Sequence, residues 1–452
     1  MFKRRSIYSS GRRSSGVSAF ALLMFLCVVG AGVWFFIRDL TSPEVTLDPP
    51  YSGRMGITQQ VTINASDKSG IQSISVTVRR GSQSMVLVRE KYAELQKKRQ
   101  VAFTLKDTKL PAGDFELEIR VQDGSFAGFG FGNTKTMRMN VTLDAEPPRI
   151  AVRTVPPSVR RGGSALIAYT VSEEVDKTGV QLGKHFFPAY RQPNGGYACL
   201  FPFPITYKAA DYYPEIMARD LAGNVTSSRL PVRAVERRFR ADTLSIPESF
   251  LNFKAAELAR ICPEKSTPLE QYLCANSKER MADDAKLIEF GTDSSRISPT
   301  FLWSGRFLRL PRAAERARFG DFRTYVDGSR QKIDEQTHMG VDLASVARAE
   351  VPAAQTGRVA WVGYLGIHGN MVLVDHGMGL MSQYSHLSDF LVRAGEDVQA
   401  GQIIGHTGTT GLAGGDHLHF GILIFGIPVE PLEWLDEKWV RNNITSRLNT
   451  PL

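Results

Sequence analysis

The chain has 452 residues but only four cysteines, and no two of them form a CxxC pair, which excludes a structural zinc knuckle. There is no HExxH helix, so the glutamate base of thermolysin-like metallopeptidases is missing. Neither a GxSxG elbow nor a phosphate-binding P-loop occurs, which removes serine hydrolases and NTPases. No Lys/Arg stripe lies outside the N-terminus, so no nucleic acid partner is expected. Histidine is nearly absent from the first three-quarters of the chain. Of eight histidines, seven lie after position 337.

Charge is missing from one long run. Residues Val17 to Ile37 carry none, and at 1.5 Å per residue they span about 30 Å, the thickness of a bilayer core. Lys3, Arg4, Arg5, Arg12 and Arg13 precede the run, and only Arg38 and Asp39 follow closely. The positive-inside rule then predicts a cytoplasmic basic tail (1–16), a single-pass anchor (17–37) in the inner, cytoplasmic membrane, and the bulk of the chain in the periplasm or cell-wall space. The run is longer than the core of a cleaved signal peptide. The whole chain is 42% hydrophobic and 22% charged, as in ordinary folded protein, and its length suggests about three domains. A net charge of +9 favours anionic partners, among them anionic lipid and an acidic polymer such as peptidoglycan. In an exported chain Cys262 and Cys274, which flank a short connection between helices, are able to pair, leaving Cys199 as a buried small residue.

Short alternating strands separated by Gly, Asp, Ser and Pro clusters fill residues 43–144, with QQVTINA, IQSISVTVRR, FELEIRVQD and MRMNVTL as examples. That pattern predicts a β-sandwich. A second such stretch, 146–240, repeats the Pro-flanked opening strand and carries the turn ARDLAGN, which resembles turns of bacterial immunoglobulin-like domains. Both sandwiches are candidate docking modules for envelope proteins, or a spacer. From 249 to 291 the period becomes helical. Thr267-Pro268-Leu269-Glu270 reads as a capping box, and Pro263 ends the preceding helix, so a helical hairpin is expected. Residues 300–452 return to short apolar runs joined by glycine turns, the pattern of an antiparallel β domain. The fold class is therefore mainly β.

The chemistry gathers in that last stretch. In His417-Leu418-His419 a strand would place both imidazoles on one face, about 6.6 Å apart along the chain. One can bind a metal while the other stays free for proton transfer. His338 and Asp342 would be about 13 Å apart on a straight strand, too far for one ion, so a bend at Gly340 is required. His338, Asp342 and His419 then give three ligands, the count of a catalytic zinc site with one open position. His386, ending Ser382-Gln383-Tyr384-Ser385-His386, is a second proton-transfer candidate. Plain alternatives are a polar strand face, a turn aspartate and a solvent-exposed histidine.

Four runs (QTHMGVDLAS, QYSHLS, GQIIGHTGTTG and GGDHLHFGI) resemble, in order and spacing, the lysostaphin-type or LytM-type zinc metallopeptidases over about the last third of the chain. The resemblance implies one Zn2+ on His338, Asp342 and His419, with His386 and His417 as the non-ligand active-site histidines. It also implies peptidoglycan stem or cross-bridge peptides as substrate. Phe319-Gly320 and Arg323 resemble the family's FGxR stretch with looser spacing. His376 and His406 read as structural, while His368 and His185 receive no role. The alternative is a LytM-type domain without catalysis that activates cell-wall amidases, or an envelope scaffold. The complete ligand set favours the enzyme.

Overall fold

The computed structural model describes residues 15–37, 39–106, 108–126 and 130–448, with side chains of the first helix described at 20–32. Among the described residues no helix is long and apolar enough to cross a membrane, so the expected transmembrane anchor is not borne out here. The backbone of Ser15–Ile37 is helical and uncharged. Most of the basic tail, including every cation that set the expected orientation, lies outside the described residues.

The chain divides into two compact units, Met1–Pro147 with Leu221–Asn224, and Pro148–Asp220 with Val225–Leu452. The first is built on one bent six-stranded sheet rather than two separate sheets. The VTINA of the first run and the whole of IQSISVTVRR belong to a single strand, Val61–Arg80. The intervening Asp67-Lys68-Ser69-Gly70 looks like a turn in sequence, yet here it is a register break against the long partner strand Gln83–Phe103, with Gly70 at φ +82°. The first half of Val61–Arg80 pairs with Glu44–Asp48 and the second with Gly113–Asp123. The two halves close over one core containing Ile63, Val101, Ile74 and Ile119.

The second unit opens with a sandwich of two four-stranded sheets. Its core residues Ile167, Leu200 and Ile216 are continuous with Val341, Phe420 and Ile424 of the C-terminal β region. Phe187 meets Phe425 at 5.8 Å between ring centroids, and the Trp434 indole N–H donates to Ser164 Oγ at 3.2 Å. The sandwich and the last third are thus two layers on one core.

The helical segment comprises Glu248–Ile261, Pro268–Cys274 and Arg280–Thr292, the last two joined through a π turn at Ala275–Glu279. Thr267 and Glu270 form the capping box, and Cys262 is disulfide-bonded to Cys274. The helices bury their apolar faces on the C-terminal β region, where Phe290 stacks on Trp361 at 5.1 Å and Leu258 packs in a cluster with Tyr325 and Ile367. That region centres on an eight-stranded sheet in which Val341–Ala344, Leu418–Ile424 and Leu380–Leu387 are antiparallel neighbours. A linker strand, Ala241–Ser245, adds in parallel to Phe322–Val326.

Candidate functional site

Strand register brings the site together. Asp342 sits directly opposite His419, and His419 opposite Ser385, so these side chains share one sheet face by the alternation of the pleat. His417 lies just before its strand, at an isolated bridge to Gly408, and faces the same way. His338 arrives from the other side of the bend. Its backbone N–H donates to Asp321 O at 2.9 Å, and its carbonyl accepts from Gly320 N–H at 2.7 Å, so the Phe319-Gly320-Asp321 turn holds it.

The bend at Gly340 has a different cause from the one expected. Its φ is not positive. A Cβ there would instead meet His419 Nε2 at 2.6 Å and Phe420 O at 2.7 Å, so glycine is needed for close approach.

His338 Nε2 lies 2.9 Å from Asp342 Oδ1 and 3.0 Å from His419 Nδ1, and His419 Nδ1 lies 3.0 Å from Asp342 Oδ1. All three atoms lie within 4.8 Å of one another. The tautomer of His338 follows from its other nitrogen. Nδ1 faces the Arg318 carbonyl at 3.0 Å, and a carbonyl only accepts, so Nδ1 carries the proton and Nε2 turns a lone pair inward. Lone pairs and a carboxylate pressed to one point suit a divalent cation. Arg323 Nη2 donates to Asp342 Oδ2 at 3.2 Å, which leaves Oδ1 to the imidazoles.

His386 and His417 flank this point. His386 has φ +64°, a left-handed conformation costly for a residue with a Cβ and typical of functional sites. Its Nδ1 donates to Thr410 O at 2.8 Å, and His417 Nδ1 donates to Gly415 O at 2.8 Å, so both neutral rings present Nε2 lone pairs. Their centroids are 4.9 Å apart.

Burial would raise the Asp342 carboxyl, but the surrounding His338, His417 and His419 offset this and hold it well below the carboxylate range. Burial lowers His419 to about 4 and, with its imidazole neighbours, holds His386 well below the usual value. Burial also opposes protonation of His417, yet the bond to Asp342 outweighs it and raises this imidazole.

The group forms one wall of a cavity of about 520 Å³. Part of its lining comes from the helical segment, through Phe250, Tyr272, Asn276, Arg280 and Asp284. His368, given no role in sequence, also lines it and is 9% exposed. No local pattern marks these residues, since their approach depends on long-range packing. His376 and His406 are bound elsewhere, to Thr356 and Ser382 and to Asp389 respectively, and do not enter the site.

An antiparallel β domain that gathers two imidazoles and a carboxylate in a cleft belongs to the class able to hold a divalent ion. Residues 336–431 match Peptidase family M23, and the chain carries an M23 domain at its C-terminal end. Over 95 residues it is 38% identical to the DD-carboxypeptidase/endopeptidase Mpg of Neisseria meningitidis serogroup B, covering 21% of this chain and 22% of that protein. It is 36% identical over 96 residues to the peptidoglycan DD-endopeptidase ShyA of Vibrio cholerae, covering 21% and 22%. It is also 34% identical over 105 residues to the murein hydrolase activator NlpD of Salmonella dublin, covering 23% and 28%. The chain thus matches less than a third of the length of each of these relatives. Among solved structures, the catalytic domain of lysostaphin from Staphylococcus simulans aligns with 29% identity and a TM-score of 0.25, covering 28% of this chain and 94% of that one. A Pseudomonas aeruginosa chain assigned to peptidase M23 aligns with 20% identity and a TM-score of 0.38, covering 62% and 95%.

Proposed function

We propose that the protein is a membrane-anchored zinc endopeptidase that hydrolyses peptide bonds in the stem or cross-link peptides of peptidoglycan. One observation carries the reading: the donor atoms of His338, Asp342 and His419 converge beside two further imidazoles in a cavity large enough for a peptide. These three residues would hold the ion. When bound, it supplies Lewis acidity to the scissile carbonyl and to the attacking water. The Nε2 atoms of His417 and His386 accept the water's proton and return it to the leaving amine. Arg323 fixes the carboxylate of Asp342. The walls from the helical segment and the β region exclude bulk water. The relatives named as DD-endopeptidases support a cross-link peptide as substrate.

The anchor rests on the uncharged helical run Ser15–Ile37 and the cations before it. It predicts a membrane-fraction protein that resists carbonate extraction, with its C-terminal domain outside the cytoplasm. A carbonate-soluble protein would end that part of the reading.

The main test is product analysis by mass spectrometry after incubating the purified full chain with peptidoglycan, alongside His417→Ala and a metal assay. Wild type is expected to release cleaved peptides and to carry one equivalent of zinc. Zinc-free, inert protein would instead favour the activator reading suggested by the NlpD similarity.

A further inference from the structure

His338, His386 and His417 each point Nδ1 at a backbone carbonyl, of Arg318, Thr410 and Gly415. Their neutral forms therefore offer only lone pairs to the cavity. His368 is arranged the other way round. Its Nδ1 accepts from Gln383 Nε2 at 3.0 Å, and the second hydrogen of that amide goes to Ser385 Oγ at 2.9 Å. Gln383 and Ser385 are fully buried on the strand Leu380–Leu387, which also carries His386. With Nδ1 accepting, the proton of the neutral ring sits on Nε2. That atom is buried and has no hydrogen-bond partner. A buried donor left unmatched is costly, and such groups in native proteins call for an explanation.

The ring is held firmly. It ends the short turn Gly366–His368, whose Ile367 N–H donates to Asp283 Oδ2 of helix Arg280–Thr292 at 2.8 Å. On the other side Leu412 N–H donates to Ile367 O at 2.9 Å, and Asn370 N–H to Thr410 Oγ1 at 2.9 Å. The ring centroid lies 6.1 Å from that of His419, and His368 lines the same cavity as the converging donors.

We propose that His368 is a fifth working histidine of this site, a neutral Nε2–H donor that hydrogen-bonds the carbonyl oxygen of the bound peptide and strengthens as that oxygen gains negative charge. Gln383 is the positioning residue that fixes its tautomer. This rests on the peptidase reading and deepens it. The site then divides its labour: lone pairs for the cation and for protons, one N–H for the substrate oxygen. A donor that gains strength in the transition state acts on kcat more than on KM.

The test uses the full-length protein loaded with zinc and a defined cross-linked muropeptide. His368→Ala is expected to lower kcat about 100-fold with KM little changed, the usual cost of one oxyanion donor. It should also weaken binding of a phosphinate analogue of the scissile bond, read by calorimetry, more than binding of the substrate peptide. His368→Gln, whose amide N–H falls near the former Nε2, should recover part of both. Gln383→Glu offers only acceptors, so it pulls the ring proton to Nδ1 and should reproduce most of the His368→Ala loss with the imidazole still present. Zinc stoichiometry and melting temperature are measured on every variant. If His368→Ala loses zinc, the residue is a ligand and the proposal fails. If His368→Ala or Gln383→Glu turns over like wild type, the donor assignment fails. Inert wild-type protein would instead sink the peptidase reading itself.

Discussion

At the scale of single residues, the site depends as much on a missing side chain as on those present. Gly340→Ala would drive a Cβ to within 2.6 Å of the His419 ring. The ring must move, and the variant is expected to bind zinc at least about 10-fold more weakly, the kind of loss seen when a ligand's support is disturbed. Competition with a chromogenic chelator measures this, and unchanged affinity would mean the close approach is relaxed in solution. Glu433 gives a pH-dependent case. Burial and the neighbouring Glu430 raise its carboxyl to about 8, while it accepts from Ser164 N–H at 3.1 Å. The unfolded chain releases this proton near the ordinary glutamate value of 4.5, whereas the folded chain keeps it to about pH 8. The folded state therefore binds more protons across that window, and stability falls as pH rises from about 4.5 to 8. Glu433→Gln should flatten this decline in melting temperature between pH 5 and 8.

Residue-scale legibility is high for the converging donor atoms and poor for their surroundings. His338, Asp342, His417 and His419 sit in short motifs whose spacing reports strand geometry, so their convergence could be argued from alternation and one bend. The need for glycine at 340 was legible, but its cause was not, because the crowding atom is 79 positions away, on His419. His368 gives no signal in the sequence, because a histidine in a glycine turn carries no periodicity. Only its long-range partner Gln383 gives the ring a direction.

At the scale of elements, the helical segment is a wall of the cavity and a brace for its loops. The buried Lys254 ammonium donates to Thr409 O in the loop beside His386, and Asp283 caps the turn that carries His368. The Cys262–Cys274 bond closes 12 positions of chain between the first two helices. Replacing both cysteines by serine is expected to destabilise the segment by about 3 kcal/mol, from the loop-entropy estimate. Faster limited proteolysis between residues 249 and 291, with the β region intact, would report it. Equal protease resistance would show that packing alone holds the helices. The hairpin itself was legible because Thr267 and Glu270 obey a local capping rule. The strand Gln83–Phe103 was not, because its apolar residues are sparse and its pairing is set by Val61–Arg80.

At the scale of the molecule, sequence divided residues 146–240 from 300–452, since strand patterns on either side of a helical stretch read as separate bodies. The structure instead runs one core through both, from Ile167 and Leu200 to Val341 and Phe420. A truncation beginning at Thr300 strips Phe187 from Phe425 and Ser164 from Trp434. It is expected to be insoluble or to lack a cooperative melt, whereas one beginning at Pro148 should melt cooperatively. Calorimetry of both separates the outcomes, and a sharp transition in the shorter piece would overturn the shared-core account.

The helical wall also bears on transplantation. The family match spans 336–431, and a protein engineer grafting that stretch into a new host would carry over every candidate ligand. Left behind would be Arg323, which steadies Asp342, and the Asp283 cap on the turn of His368. The smallest portable cassette is therefore larger than the recognisable motif block: it begins at Pro148, so that the sandwich sharing its core travels with it.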